Sequence, residues 1–271
     1  MSENFVVSTV KGHNFTMDYL RFGEGERYFV MLPGMTLRPV TLTAAAVAAG
    51  FADFAKDYTV LLFDRRRELS EGCTVEDMAE DTAEAMELLG VSDADVYGAS
   101  QGGQLAMILA LRHPALVRRL VLAATSARPN PVTEETFSLW ERLSAEGDPV
   151  AVNRDSAERI YTEDYRRQYA AAFSALEKQG TPEELRRWGI LSAACRVFDC
   201  YDALSALRCP VLAVGAEEDK VMSPAATRLI GERLGCEWVV YPGYGHAVYD
   251  EAPDFRDRML AFFRGEQYPA A

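Results

Sequence analysis

The chain has 271 residues, of which 49% are hydrophobic and 25% are charged, so its composition is that of a globular protein rather than a disordered or fibrous one. This length favours one α/β domain with an insertion over two independent domains. Lys and Arg number 28 against 41 Asp and Glu, and the resulting formal net charge of −13 would repel phosphate backbones and anionic lipids. We therefore expect neither nucleic acid nor a membrane as a partner.

Targeting and metal-binding patterns are absent from the sequence. Residues 1–4 lack a basic region followed by an apolar run, so we expect no secretory signal and a cytoplasmic location. The most apolar stretch, residues 42–54, is short for a membrane span and contains Asp53. The five cysteines fit no zinc pattern in a chain with three histidines. We expect reduced thiols, no disulfide and no metal.

The strand signals follow in chain order. Residues 5–10 and 14–22 carry β-branched and aromatic residues with partial alternation, which predicts an antiparallel hairpin at a sheet edge. Short apolar runs then recur, as is typical of parallel strands that are buried on both faces. These runs are residues 27–32, 59–63, 94–97, 116–123, 210–214 and 237–241.

Helical patterns separate most of the predicted strands. The predicted helices are residues 40–56, 74–89, 101–112, 224–234 and 253–263. The second has the clearest start, because Thr74 and Asp77 resemble a capping pair, and Gly90 stops it. Alternating strands and helices predict an α/β fold with a mostly parallel, doubly wound sheet.

A long segment interrupts this alternation. From residue 126 to residue 198 the strand signal disappears, and the sequence predicts several amphipathic helices bounded by prolines and glycines. We therefore predict a core domain of residues 1–125 and 199–271 with a helical cap, residues 126–198, inserted into it.

A candidate nucleophile lies in the run GASQG at residues 98–102. It follows a predicted strand and precedes a predicted helix, which is the context that a nucleophile elbow requires. Glycines flanking Ser100 permit a tight turn that exposes the hydroxyl, and the helix N-terminus favours a developing negative charge. Read alone, the run is also compatible with a simple packing turn.

A serine hydroxyl needs a base, and a histidine base needs a carboxylate to orient it. His13 lies in the early hairpin and His113 at the far end of the Ser100 helix, so His246, in a glycine-containing loop after a predicted strand, is the candidate base. Asp219 follows the predicted strand 210–214 and is the candidate acid, with Glu218 and Glu217 as competitors, and spacing alone does not separate Asp219 from Glu218.

The order Ser, Asp, His and the blocks that carry it resemble the α/β-hydrolase superfamily. The blocks are residues 98–103, residues 215–219, and residues 245–246 together with 251–253. The resemblance covers almost the whole chain. It implies the α/β-hydrolase fold, no cofactor, and an oxyanion hole made by the backbone N–H groups of Met35 and Gln101. Gly34 would let the backbone at Met35 turn inward, although Pro33 departs from the His-Gly pair that is usual in this family.

Residues 64–70 depart further from that family, because they lack its usual glycines and contain Arg65, Arg66 and Arg67. These arginines either bind a substrate carboxylate or form a surface paired with the acidic helix at residues 76–87, and we favour the surface. Aromatic residues of the insertion, among them Trp140 and Tyr165, either line an apolar substrate pocket or pack within the cap.

The joint pattern predicts a serine hydrolase that acts on an ester-like carbonyl through an acyl-enzyme. Carboxylic esters and lactones are the first expectation, and amides are compatible. The same residues also permit a lyase, a carbon–carbon hydrolase, a cofactor-free perhydrolase, or a small-molecule-binding protein without turnover. We expect a small-molecule substrate and a monomer or homodimer.

Overall fold

The computed structural model describes residues 5–269. Their strands form one eight-stranded sheet in the order β1-β2-β4-β3-β5-β6-β7-β8. The strands are β1 (Phe5–Lys11), β2 (Thr16–Phe22), β3 (Arg27–Leu32), β4 (Tyr58–Arg66), β5 (Ala94–Ala99), β6 (Val117–Ala123), β7 (Val211–Ala216) and β8 (Glu237–Tyr241). The α/β fold expected from the sequence is confirmed. Residues 1–4, on which the expectation of no secretory signal rests, lie outside the described residues.

Strand pairing separates an antiparallel edge from a parallel centre. β1 pairs with β2 and β2 with β4 in antiparallel register, whereas β4, β3, β5, β6, β7 and β8 run parallel. Every residue of β5 and β7 is buried, which explains why these strands appear in the sequence as continuous apolar runs. The carboxyl ends of all the parallel strands meet at one edge, where ligands bind in open α/β sheets.

Helices cover both faces of the sheet. In the described chain they are α1 (Ala44–Gly50), α2 (Val75–Leu88), α3 (Gln101–Arg112), α4 (Pro131–Glu146), α5 (Pro149–Ile160), α6 (Glu163–Gln168), α7 (Ala170–Leu176), α8 (Pro182–Val197), α9 (Pro224–Leu234), α10 (Val248–Glu251) and α11 (Phe255–Arg264). α2, α3 and α9 pack in the apolar core of one face, and α1, α10 and α11 in that of the other. The sheet is therefore doubly wound, as predicted.

The start of α2 confirms the capping signal. The Thr74 hydroxyl accepts a hydrogen bond from the Asp77 N–H, and the Asp77 carboxylate accepts one from the Thr74 N–H.

The long helix predicted for residues 40–56 is wrong. That segment forms a 3₁₀ turn at Val40–Thr43, then α1, then a second 3₁₀ turn at Phe54–Lys56. β-branched residues at its start disfavour a helix, and only Ala44 of α1 is buried, so little packing would stabilise a longer one.

Five helices of the described chain, α4 to α8, occupy the interval between β6 and β7, where the sequence predicts the helical insertion. They have their own apolar cluster, in which Phe137, Trp140 and Trp188 pack against Val221 and Met222 of the core. Within residues 5–269, no helix combines the length and the apolar character needed to cross a bilayer.

Candidate active site

Ser100 occupies a strained turn between β5 and α3. Its backbone has φ 53° and ψ −122°, a conformation that side-chain-bearing residues rarely adopt. The turn is fixed because the Ser100 N–H donates to the Ala123 carbonyl at 2.9 Å and the Thr125 hydroxyl donates to the Ser100 carbonyl at 2.7 Å. This is the elbow geometry that the run GASQG predicts.

Two glycines of the elbow are required by close packing. A Cβ at Gly98 would lie 2.4 Å from the Gly102 carbonyl oxygen, and a Cβ at Gly102 would lie 1.9 Å from the Leu32 carbonyl oxygen. The absence of these two side chains therefore brings α3 against the end of β3. As a result, Ser100 lies beside the loop that follows β3.

The backbone strain at Ser100 can be measured as a difference in the free energy of unfolding between two variants. A residue held in such a conformation costs about 1–3 kcal/mol, and glycine largely escapes this cost at the price of a more flexible unfolded chain. We expect Ser100→Gly to be about 1 kcal/mol more stable than Ser100→Ala, because both remove the hydroxyl and only one removes the strain. Urea unfolding of the two variants measures this difference, and a Ser100→Gly protein less stable than Ser100→Ala would show that the turn stores no strain, because only the entropy cost of glycine would then remain.

Asp219 and His246 come together at the carboxyl edge of the sheet. Asp219 follows β7 and His246 follows β8, and the Nδ1 atom of His246 lies 3.0 Å from both carboxylate oxygens of Asp219. Asp219 Oδ1 also accepts hydrogen bonds from the N–H groups of Val221 at 2.8 Å and Met222 at 2.9 Å. The backbone therefore fixes the carboxylate in the orientation that meets the imidazole.

The two loops that carry this pair are tied to each other and to the helical insertion. The N–H of Glu218 donates to the Tyr244 carbonyl at 3.0 Å, and the N–H of Ala247 donates to the Ile160 carbonyl at 2.8 Å. Glu218 itself is exposed, whereas Asp219 is buried against His246. Glu217 is exposed as well, so of the three carboxylates that the sequence leaves open the structure brings Asp219 to the histidine.

Ser100 and His246 are both shielded from solvent, with 7% and 1% of their surfaces exposed. Because Nδ1 of His246 faces Asp219, Nε2 is the ring nitrogen left for a proton from a hydroxyl. Within residues 5–269, neither the Ser100 hydroxyl nor Nε2 of His246 takes part in a hydrogen bond. Catalytic hydrogen bonds are often long or poorly aligned in ligand-free enzymes and tighten when substrate binds.

The segments of Gly34, Met35 and Gln101 lie on either side of Ser100. A Cβ at Gly34 would lie 3.1 Å from Ser100 Cβ and 3.7 Å from its Oγ, so this glycine leaves open space beside the hydroxyl. Gln101 is the first residue of α3, where backbone N–H groups have no partner within the helix. Met35 and Gln101 both contact Cys195 of α8, at 3.7 Å from Met35 Sδ and 3.2 Å from Gln101 Nε2.

Of the three arginines after β4's apolar run, only one pairs with the acidic helix as expected. Arg66 forms a two-pronged ion pair with Asp81 of α2, while Arg67 pairs with Asp18 of β2 at 2.7 Å. The surface location predicted for Arg65 is wrong. β4 extends to Arg66, and the strand carries the Arg65 side chain inward, where it is only 5% exposed. There Nε donates to Gln101 Oε1 at 3.2 Å and Nη2 to the Pro33 carbonyl at 2.6 Å.

The aromatic candidates of the insertion have packing partners. Trp140 is 2% exposed and donates from Nε1 to the Asp155 carboxylate at 2.7 Å, so its observed role is in the interior of the insertion. Tyr165 stacks on Tyr161, with ring centroids 5.1 Å apart, and its ring is tilted against that of Tyr169 at 4.5 Å. Neither side chain forms a hydrogen bond with Ser100, Asp219 or His246 in the described chain. Substrate contact by Trp140 and Tyr165 stays a prediction.

Metal-binding clusters are not found in the part of the chain that the structure describes. No group of three or more His, Cys, Asp and Glu residues among positions 5–269 is arranged to hold a metal ion.

Comparison with known proteins shows the class of protein. Residues 48–253 match the model of the alpha/beta hydrolase fold family, and this chain belongs to that family. A candidate carbamate hydrolase, RutD, from Caulobacter sp. (strain K31) is 29% identical over 221 residues, covering 77% of this chain and 82% of the relative.

Solved structures agree on the fold. The enol-lactonase of Burkholderia xenovorans LB400 superposes with a TM-score of 0.82 at 20% identity, covering 96% of this chain and 100% of that one. An esterase from Exiguobacterium antarcticum gives a TM-score of 0.80 at 16% identity, with coverage of 96% and 100%. The family match thus places the chain in the alpha/beta hydrolase family, and these neighbours share its fold.

Proposed function

We propose that the chain is a serine hydrolase that cleaves an ester-like carbonyl, in a carboxylic ester, lactone or carbamate, through an acyl-enzyme. The observation that carries this proposal is the buried contact between Asp219 and Nδ1 of His246, at the same carboxyl edge of the sheet as the strained turn of Ser100. A carboxylate at Nδ1 keeps the proton on that nitrogen and leaves Nε2 as the base. Lactone, ester and carbamate are the groups on which the related proteins are named as acting.

In the proposed reaction His246 Nε2 takes the proton of Ser100 as its Oγ attacks the carbonyl carbon. The N–H groups of Met35 and Gln101 stabilise the oxyanion of the tetrahedral intermediate. His246 then gives its proton to the leaving group, and the acyl group stays on Ser100. Water attacks the acyl-enzyme with His246 again as base, and the acid is released. Asp219 stabilises the imidazolium that forms in each half-reaction.

We further propose that helices α4 to α8 act as a lid over this site. Three contacts support it: Gln101 Nε2 donates to the Leu191 carbonyl of α8 at 3.2 Å, Ala247 N donates to the Ile160 carbonyl of α5, and Asn130 Nδ2 donates to the Met222 carbonyl at 3.2 Å. The insertion thereby touches the segments that carry the nucleophile, the base and the acid. A lid of this kind excludes water and strengthens the electrostatic interactions within the site.

Covalent labelling tests the proposal. We expect a fluorophosphonate probe to modify the wild-type protein once, at Ser100, as read by intact mass and peptide mapping. Ser100→Ala should not be labelled. An unreactive wild-type serine in a folded protein would instead support a binding protein without turnover. Peracid formation from acetate and hydrogen peroxide, with negligible ester turnover, would support a perhydrolase.

A further inference from the structure

Among the residues that the structure describes, the guanidinium of Arg65 is a buried cation without a carboxylate partner. Its side chain is on β4, 5% of its surface is exposed, and both of its hydrogen bonds go to neutral oxygens, those of Gln101 and Pro33. Within residues 5–269, Nη1 of Arg65 takes part in no hydrogen bond or ion pair. The two arginines that follow differ in this respect, because Arg66 is neutralised by Asp81 and Arg67 by Asp18.

The preceding residue, Asp64, is acidic, but its carboxylate is already engaged. Its Oδ1 accepts from the backbone N–H of Arg65 at 2.7 Å, its Oδ2 accepts from the Val40 N–H at 3.0 Å, and it lies 3.7 Å from the guanidinium of Arg187. The bond from Arg65 comes from its backbone, so the carboxylate of Asp64 is paired with the guanidinium of Arg187 and not with that of Arg65. Arg65, Arg187 and Asp64 together carry a net charge of +1. This local excess of positive charge occurs in a chain whose formal net charge is −13.

Such an arrangement is unfavourable for folding alone. Burial lowers the pKa of the Arg65 guanidinium to about 10, which still leaves it charged at neutral pH. A buried charge without a counter-ion destabilises a fold, and strongly perturbed ionisable groups cluster at functional sites. An anion that enters with a ligand would complete the pairing.

The location of Arg65 puts this charge beside the candidate nucleophile. Its Nε is bonded to the side chain of Gln101, the residue after Ser100, and its Nη2 is bonded to Pro33, the residue before Gly34. Both acceptors thus belong to the segments that, in the proposed reaction, hold the acyl oxygen. The acyl part of a substrate is therefore the part nearest to the guanidinium.

We propose that Arg65 binds a carboxylate on the acyl part of the substrate, so that the substrate is the half-ester or lactone of a dicarboxylic acid. This proposal rests on the proposed hydrolase function and specifies its substrate class. A guanidinium is suited to the role, because it can bind a carboxylate through parallel hydrogen bonds.

The test compares two esters that differ in charge and little in shape. Mono-4-nitrophenyl glutarate carries a carboxylate at the end of its acyl chain, and 4-nitrophenyl 5-methylhexanoate carries an isopropyl group in its place. We expect the wild type to show a kcat/KM about 10- to 100-fold higher for the glutarate, since hydrogen bonds to charged groups contribute that much. Arg65→Gln should abolish this preference mainly through KM for the glutarate, and Arg65→Lys should restore part of it.

Arg67→Gln is the matched control, because Arg67 is exposed and paired with Asp18, and it should leave both esters unaffected. Equal losses for both esters in Arg65→Gln would overturn the proposal and assign Arg65 to positioning the oxyanion segments. A wild type that prefers the neutral ester would overturn it without any variant. Fluorophosphonate labelling of Ser100 separates these results from failure of the hydrolase function, which would leave the serine unlabelled and both esters intact.

Discussion

Ser100→Ala is expected to lower kcat for a 4-nitrophenyl ester by about 10⁴- to 10⁶-fold, the range found when a triad nucleophile is removed from serine hydrolases. The expected loss is this large because the acyl group of the proposed acyl-enzyme is bonded to Oγ of Ser100, which alanine lacks. Residual activity would come from the oxyanion donors and from substrate binding. Initial rates with active-site titration of the wild type measure the ratio.

The control for this variant is Ser205→Ala, because Ser205 is exposed and, within the described chain, its hydroxyl donates one hydrogen bond, to the Asp202 carbonyl at 3.5 Å. It should retain wild-type kcat. Circular dichroism of Ser100→Ala should show the native fold, since alanine keeps the strained backbone as serine does. A loss of less than about tenfold in a folded Ser100→Ala protein would contradict a serine acyl-enzyme.

Much of the candidate site could be predicted because its residues are marked by local sequence. Glycines flank Ser100 for a reason that the structure makes explicit, namely the contacts that side chains at Gly98 and Gly102 would make. His246 could be reached by elimination, because a chain with three histidines offers few bases. The choice of Asp219 over Glu218 could not be fixed by spacing. It depends on which carboxylate the loop turns inward, and the N–H groups of Val221 and Met222 decide this.

Arg65 shows where sequence reasoning failed. Three consecutive arginines favour a solvated surface, yet β4 continues through the first two of them. Leu61 and Phe63 of this strand lie in the core of the face that α2 and α3 cover, and extending their alternation by two residues reaches Arg65. Alternation along the strand was therefore the available signal, and the charge of the side chain concealed it.

The prediction of one long helix at residues 40–56 failed for a different reason. Its alanine-rich composition favours a helix, but composition does not reveal that only Ala44 of α1 is buried. Tertiary contacts decide the conformation of such segments. Here the hydrogen bond from the Val40 N–H to the Asp64 carboxylate fixes the start of residues 40–56. The five helices of the insertion were easier to predict as a group, because prolines and glycines mark their boundaries.

Asp219→Asn is expected to lower kcat by about 10⁴-fold while the protein keeps its fold. Oδ1 of Asp219 accepts two backbone hydrogen bonds, so the amide oxygen of an asparagine would take that position and its NH₂ group the other. The NH₂ group would then face Nδ1 of His246 as a donor. Nδ1 would have to be unprotonated to accept this hydrogen bond, and the proton would move to Nε2, the nitrogen that must act as the base.

Glu218→Gln provides the matched control, because Glu218 is the neighbouring carboxylate in the same loop and its side chain is exposed. It should change kcat by less than about twofold, since an exposed charge contributes little to a buried site. The comparison is decisive because both variants make the same chemical change one residue apart. If Glu218→Gln lost the activity and Asp219→Asn kept it, the buried contact with His246 would have no catalytic role, and the acid would be the residue that spacing alone left open.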